Sequence, residues 1–180
     1  MAHEMTTVSG ERFDPLQPDM EKVHLEDIAH ALSLLCRGGG HVKHFHSVAQ
    51  LCLECADEAR ARGLSTRVQL ACLLHDASEA YMGDLITPIK EQTQAYKNAE
   101  DALLNQIWTK YLGSSLTKEE EMLVFEVDKD FLSYEFHTLM PHDIGDRYLK
   151  VRTTPTMDYA DPAAVKQQYL DLATLLISQL

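Results

Sequence analysis

Leu73-Leu74-His75-Asp76-Ala77-Ser78-Glu79-Ala80-Tyr81 is the stretch on which the fold of this chain turns. Three ionisable residues interrupt a run that is otherwise apolar enough for a core helix, with Val68, Leu70, Ala71 and Cys72 before them and Ala77, Ala80, Tyr81 and Met82 among and after them. Charged groups in a core need a pairing partner or a metal, because burying them bare costs several kcal/mol or more. A His followed directly by an Asp offers a neutral nitrogen and an anionic oxygen that one cation can take together. On a continuous helix Glu79, four residues after His75, projects from the same face. Taken alone, the dipeptide reads more simply as a buried hydrogen-bonded pair beside an exposed Glu. The rest of the chain shifts that balance.

Outward from this stretch the pattern is helical. Residues 66–82 read as one helix, broken at Gly83 and followed by a loop over 84–90 that carries Pro88. Upstream, Ser47 caps a helix that runs over 47–62 and stops at Gly63. Before it, Leu25, Ile28, Ala29, Leu32 and Leu35 keep a helical period that ends at Gly38-Gly39-Gly40. Downstream, residues 91–112 form an amphipathic helix ending at Gly113. Thr117 with Glu120 makes a capping box for a helix reaching about residue 140. Residues 141–160 read as a surface loop, and Asp161-Pro162 starts a last helix to the C-terminus. No strand pattern emerges. The expectation is an all-α fold: an irregular N-terminal arm over 1–24 and one helical core over 25–180, of about six helices.

Composition narrows the function. The chain has 180 residues, 45% hydrophobic and 24% charged, with a formal net charge of -12. Such a surface repels nucleic acid backbones and anionic membranes. Any nucleotide must therefore meet local positive charge or a metal. No apolar run reaches membrane-span length, and no basic start precedes an apolar stretch as in a secretory signal. Cys36, Cys52, Cys55 and Cys72 lie in or beside apolar helical patterns, which reads as reduced thiols in a cytoplasmic core. Cys52-x-x-Cys55 lacks a second half at zinc-finger spacing and reads as core. A further acidic candidate, Asp128, sits beside the stripe Val124, Val127, Phe131 and Leu132, with Glu135 seven residues on. Spacing alone makes that a solvated helix face.

His75-Asp76-Ala77-Ser78-Glu79, then Gly83-Asp84, then Thr87-Pro88-Ile89-Lys90, resembles the core of the HD-domain phosphohydrolases. The nearest likeness is to the bacterial deoxyribonucleoside 5′-monophosphatases and the phage-type dATP triphosphohydrolases. Arg37-Gly38-Gly39-Gly40-His41, Ser47-Val48-Ala49-Gln50, and Asp128 with Leu132, Glu135 and Leu139-Met140-Pro141 extend it from about residue 13 to residue 141. The resemblance implies an all-α fold, a divalent metal (Mg, Mn, Co or Zn), and hydrolysis of a nucleotide phosphate ester or anhydride. It implies His75, Asp76 and Asp128 as metal ligands, Asp76 and Glu79 as catalytic residues, and Asp84 as reader of the sugar hydroxyls. It makes Arg37 and Lys90 the phosphate cations and puts Pro88 beside the base. His41 matches a histidine common in this branch and is a further substrate-side candidate.

Two positions depart from the resemblance. Leu51 stands where relatives carry the first metal histidine, in a pattern like Ser-Val-Ala-Gln-His, and His46 is the first stand-in. A site left rich in carboxylates drifts toward Mg or Mn. Gly38 stands where relatives tend to place an aromatic that packs on the base. The expectation is a cytoplasmic, metal-dependent phosphohydrolase of deoxynucleotides. Its partners are a small-molecule nucleotide and a second copy of itself, as a homo-oligomer, in the first instance a dimer. The alternative is a nucleotide-binding or regulatory protein that kept the fold and lost the metal.

Overall fold

Capping decides where the helices begin. In the computed structural model, which describes residues 4–142 and 150–180, Ser47 and Gln50 exchange the reciprocal bonds of a capping box at the start of α2 (Val48–Ala61). Ser65 caps α3 (Thr66–Leu73), and Thr117 with Glu120 boxes α7 (Lys118–Thr138). The Asp161 carboxylate accepts from the first amides of α8 (Pro162–Ile177), whose leading proline has no amide to satisfy. With α1 (Leu25–Leu34) and α6 (Gln94–Leu112), these are six helices of two or more turns. Two single-turn helices, α4 (Glu79–Met82) and α5 (Thr87–Lys90), complete the α-helices among the described residues, and two 3-10 turns lie at Met20–Lys22 and Arg37–Gly40. No helix of the described residues is long and apolar enough to cross a membrane.

The fold is all-α, with local departures from expectation. The helix expected over 66–82 stops at Leu73. Residues 74–78 are turns, and α4 follows as a separate element. Glu79 therefore does not sit one regular turn above His75 on a shared helix. The 84–90 loop contains α5, with Pro88 in its first turn, and the next helix begins at Gln94 rather than Glu91. The N-terminal arm is ordered against the core. Met5–Thr6 and Arg12–Phe13 pair as a two-residue antiparallel ladder, and Phe13 and Val23 are buried. Of the expected 141–160 loop, residues 143–149 lie outside the described residues.

α3 is the central element and packs against α2, α6, α7 and α8. Its early termination exposes carbonyls that a longer helix would have satisfied. Each finds a donor. The Leu74 amide bonds the Leu70 carbonyl (3.0 Å), Trp108 Nε1 of α6 donates to Ala71 (3.2 Å), His75 Nδ1 to Cys72 (2.7 Å), and the Tyr169 hydroxyl of α8 to Leu73 (2.8 Å). Tyr169 is fully buried. Tyr169→Phe leaves the Leu73 carbonyl buried and unpaired, at a cost of about 1–3 kcal/mol. The urea midpoint should fall accordingly, and an unchanged midpoint would mean that the carbonyl has another donor.

Residues 150–158 are held down by side chains from the helices. Fully buried Glu58 of α2 accepts from the Arg152 amide (2.8 Å), the Thr153 amide (2.8 Å) and hydroxyl (2.9 Å), and Arg62 Nε (2.8 Å). Gln50 Nε2 donates to the Asp158 carbonyl at 3.1 Å, and Met157 is buried. Such anchoring leaves no periodic signal, so this stretch read as a plain surface loop.

Candidate active site

The break after α3 turns His75 and Asp76 toward α7 and α2. With Nδ1 donating to the Cys72 carbonyl, the neutral His75 ring carries its lone pair on Nε2. That atom is buried and has no hydrogen-bond partner. It lies 3.4 Å from Asp76 Oδ2 and 3.4 Å from Asp128 Oδ1 of α7. Cys52 of α2, His75 and Asp76 each bring one ligand atom within 4.8 Å of the others. A nitrogen fixed by a backbone carbonyl, orphaned on its other side and faced by carboxylates is the arrangement a metal-binding histidine adopts. The residues therefore fit a divalent cation. Burial alone would lower the pKa of the ring, but Asp76, Cys52 and Asp128 outweigh burial and hold it well above the usual value. Partial burial would raise the Asp128 carboxyl, and the His75 ring overcomes this to hold it lower.

Above these residues lies a cleft of about 490 Å³. Arg37 reaches it from a neck in which its amide bonds the His46 carbonyl at 2.8 Å. Its guanidinium forks onto Glu135 (2.9 and 2.8 Å), and Nη1 lies 3.7 Å from Asp76 and 3.8 Å from Asp84. Lys90 Nζ, also in the lining, bonds Glu100 at 2.8 Å and approaches Glu79 at 3.3 Å. Burial disfavours the Lys90 charge, but Glu100 and Glu79 more than restore it. Glu79 is 4% exposed, and its Oε2 has no partner. Burial, then Asp76 and Asp84, push its pKa well up, so this carboxyl is inclined to keep a proton. Asp84 is also raised, by burial and Asp76 against the pull of Arg37. Apart from Gly38 and Thr87, the remaining lining is apolar: Val42, Leu85, Ile86, Pro88, Leu132, Phe136, Leu139 and Met140.

Residues 40–139 match the HD domain family. The chain belongs to that family. HD domains bind divalent metals and generally act as metal-dependent phosphohydrolases. Among curated relatives, the uncharacterized protein YfdR of Escherichia coli K12 is 34% identical over 105 residues, 58% of this chain and 56% of its own. An uncharacterized protein of Rhodobacter capsulatus is 39% identical over 102 residues, 53% of this chain and 52% of its own. The chain spans about half the length of both.

In this HD domain most residues singled out from the sequence converge. His75, Asp76 and Asp128 meet, and Arg37, Glu79, Asp84, Pro88 and Lys90 line the cleft with Asp76 and Asp128. His41 does not; it is exposed at the end of the Gly-rich turn and is not among the lining residues. His46 is fully buried with Nε2 3.5 Å from Glu54, and it is not part of the ligand cluster. Arg37 and Lys90, expected as the phosphate cations, both stand against carboxylates of this cleft region. The lining holds those two cations against five carboxylates, Asp76, Glu79, Asp84, Asp128 and Glu135. An anion enters such a cleft only with a cation to balance it. Gly38 has φ 59°, and a Cβ there would meet only Val42 and Met140 at ordinary contact distance. Backbone conformation, not space, favours glycine at this position.

Sequence reasoning missed Cys52, Glu135 and Glu100 as parts of the site. Glu135 is signalled weakly by its seven-residue spacing from Asp128. Cys52 is adjacent to the position expected to bear a ligand, but its apolar stripe made it read as core.

Proposed function

We propose that this HD-domain protein is a metal-dependent phosphohydrolase of nucleotides, with deoxynucleotides preferred. The observation that carries the reading is the orphaned, buried Nε2 of His75, faced by Asp76 and Asp128, which line a cleft that also carries Arg37, Lys90 and a set of apolar side chains. A lining that combines charged and apolar side chains suits a molecule that carries both phosphate and a base. His75, Asp76 and Asp128 would hold the cation, which when bound polarises a phosphoryl oxygen and acidifies nearby water. Glu79, with its raised pKa, holds a proton for the leaving oxygen and takes one back from water. Arg37 Nη1, its other nitrogens committed to Glu135, faces the same space and binds a phosphate oxygen. Lys90 neutralises charge beside Glu79. In this reading the protein works in the cytoplasm on a small-molecule nucleotide, as a homo-oligomer.

Asp84 is the sugar reader in this reading: a short carboxylate that accepts from a 3′-hydroxyl and crowds a 2′-hydroxyl. Hydrolysis of a panel of ribo- and deoxyribonucleoside mono- and triphosphates, with each divalent metal in turn, is the direct test. Deoxynucleotides should lead. Asp84→Ala should lower kcat/KM by roughly 10- to 100-fold, the worth of a charge-assisted hydrogen bond, and narrow the deoxy-to-ribo ratio. Equal turnover of both sugars by the unaltered protein rules out this role for Asp84. Leu51, fully buried and without a donor atom, favours a second reading in which nucleotide binds without turnover. Saturable nucleotide binding with no phosphate released under any metal would establish it.

A further inference from the structure

We propose that Cys52 is a metal ligand of this protein, its thiolate joining His75, Asp76 and Asp128 in a mixed sulfur, nitrogen and oxygen site that selects zinc-type ions over magnesium. The inference rests on the metal site proposed above and specifies its chemistry.

Cys52 is completely buried in α2 and lies, with His75 and Asp76, in the one group of three or more metal-capable side chains found among the described residues. The other cysteines, Cys36, Cys55 and Cys72, are outside that group. A thiol in a core needs no further reason for being there. What points to a ligand is a second, separate feature: the Nε2 atom of His75, in a side chain more than nine-tenths buried, has no hydrogen-bond partner and faces the same space. Leu51 donates nothing, and His46 is turned to Glu54, so no further imidazole joins the group. Thiolate and imidazole favour zinc, cobalt and similar ions, whereas magnesium prefers an all-oxygen shell. With a thiolate, two carboxylates and a divalent ion, the centre keeps one negative charge, and Arg37 Nη1 stands 3.7 Å from Asp76 to face it. Binding forms a sulfur–metal bond as the S–H bond breaks. The proton goes to solvent, and nothing is oxidised or reduced. The carboxylate-rich, magnesium-leaning site expected from sequence becomes a thiophilic one.

The test is a cobalt titration of the full chain after chelator treatment. The expected result is a visible cobalt spectrum accompanied by an intense near-ultraviolet sulfur-to-cobalt charge-transfer band. Zinc should displace the cobalt, and a large excess of magnesium should not. Cys52→Ser and Cys52→Ala should both lose the charge-transfer band and bind cobalt on the order of 100-fold or more weakly, at or beyond the top of the range typical of outer-shell partners. Cys55→Ser should keep the band. A visible cobalt spectrum without the sulfur band overturns the role of Cys52 and leaves the metal site standing. So does a sulfur band that survives in Cys52→Ala. No cobalt uptake by the unaltered protein overturns both. The spectrum of the unaltered chain decides the matter even if the variants fold poorly.

Discussion

Asp76→Asn is expected to remove bound divalent metal and to cut nucleotide hydrolysis by on the order of 10³-fold or more, with little change in fold. The substitution keeps the shape of the side chain and deletes the anionic oxygen that lies 3.4 Å from His75 Nε2. Charge stabilisation at a reacting centre is commonly worth roughly 10²–10³ in rate for a single donor, and losing the cation forfeits more than one such contact. Stability gives an independent readout. A metal that binds only the native state stabilises it by about 2.7 kcal/mol at a hundred times its Kd. The thermal midpoint of the unaltered protein should therefore rise with added metal, and that of Asp76→Asn should not. Equal metal content in the two proteins would remove Asp76 from the site.

Glu58→Ala is expected to destabilise the fold by about 3–5 kcal/mol, the cost of deleting one partner from a buried charge network. The carboxylate is fully buried and accepts from two backbone amides, a hydroxyl and Arg62. Arg62 in turn bonds Asp130 at 2.8 Å, two residues from Asp128 on α7, so the network ties α2, α7 and residues 152–153 together. Burial would raise the Glu58 pKa, but the amides of Arg152 and Thr153 and the Arg62 guanidinium overcome it and hold it lower than usual. The sign of the pH dependence follows. A carboxyl with a lowered native pKa contributes its full stability above its unfolded value, near about 4.3, and loses it as pH falls through the native one. Glu58→Gln imitates the protonated acid. Its stability should lie below that of the unaltered protein at neutral pH and converge with it below about pH 4. Chemical denaturation across that range measures the gap; a gap independent of pH would show that the charge of Glu58 contributes nothing.

Much of the site was legible because its residues are local in sequence. His75, Asp76, Glu79, Asp84, Pro88 and Lys90 fall within sixteen residues, and a charged dipeptide in an apolar run demands a partner wherever the chain goes. Asp128 was legible only through the resemblance, since its spacing alone describes a solvated helix face. Arg37 was found in the same way, but its fork onto Glu135, 98 positions later, has no trace in either local pattern. Cys52 was set aside for the opposite reason: its local pattern was clear, and it described the core equally well.

The sequence by itself determined the helices, their caps and the presence of buried ionisable groups, because propensity, capping and burial cost act over a few residues. Ser47, Thr117 and Asp161 start their helices where their side chains find the nearest free amides. Only the tertiary structure decided that α3 stops at Leu73. A helix ends early at no great cost when distant donors satisfy its last carbonyls, and here Trp108 and Tyr169 reach α3 from 37 and 96 positions away. The same packing selected the side chains that meet His75. Cys52 lies on α2 and Asp128 on α7, and the encounter depends on how those helices lie against α3, a relation that no single stretch of the chain encodes.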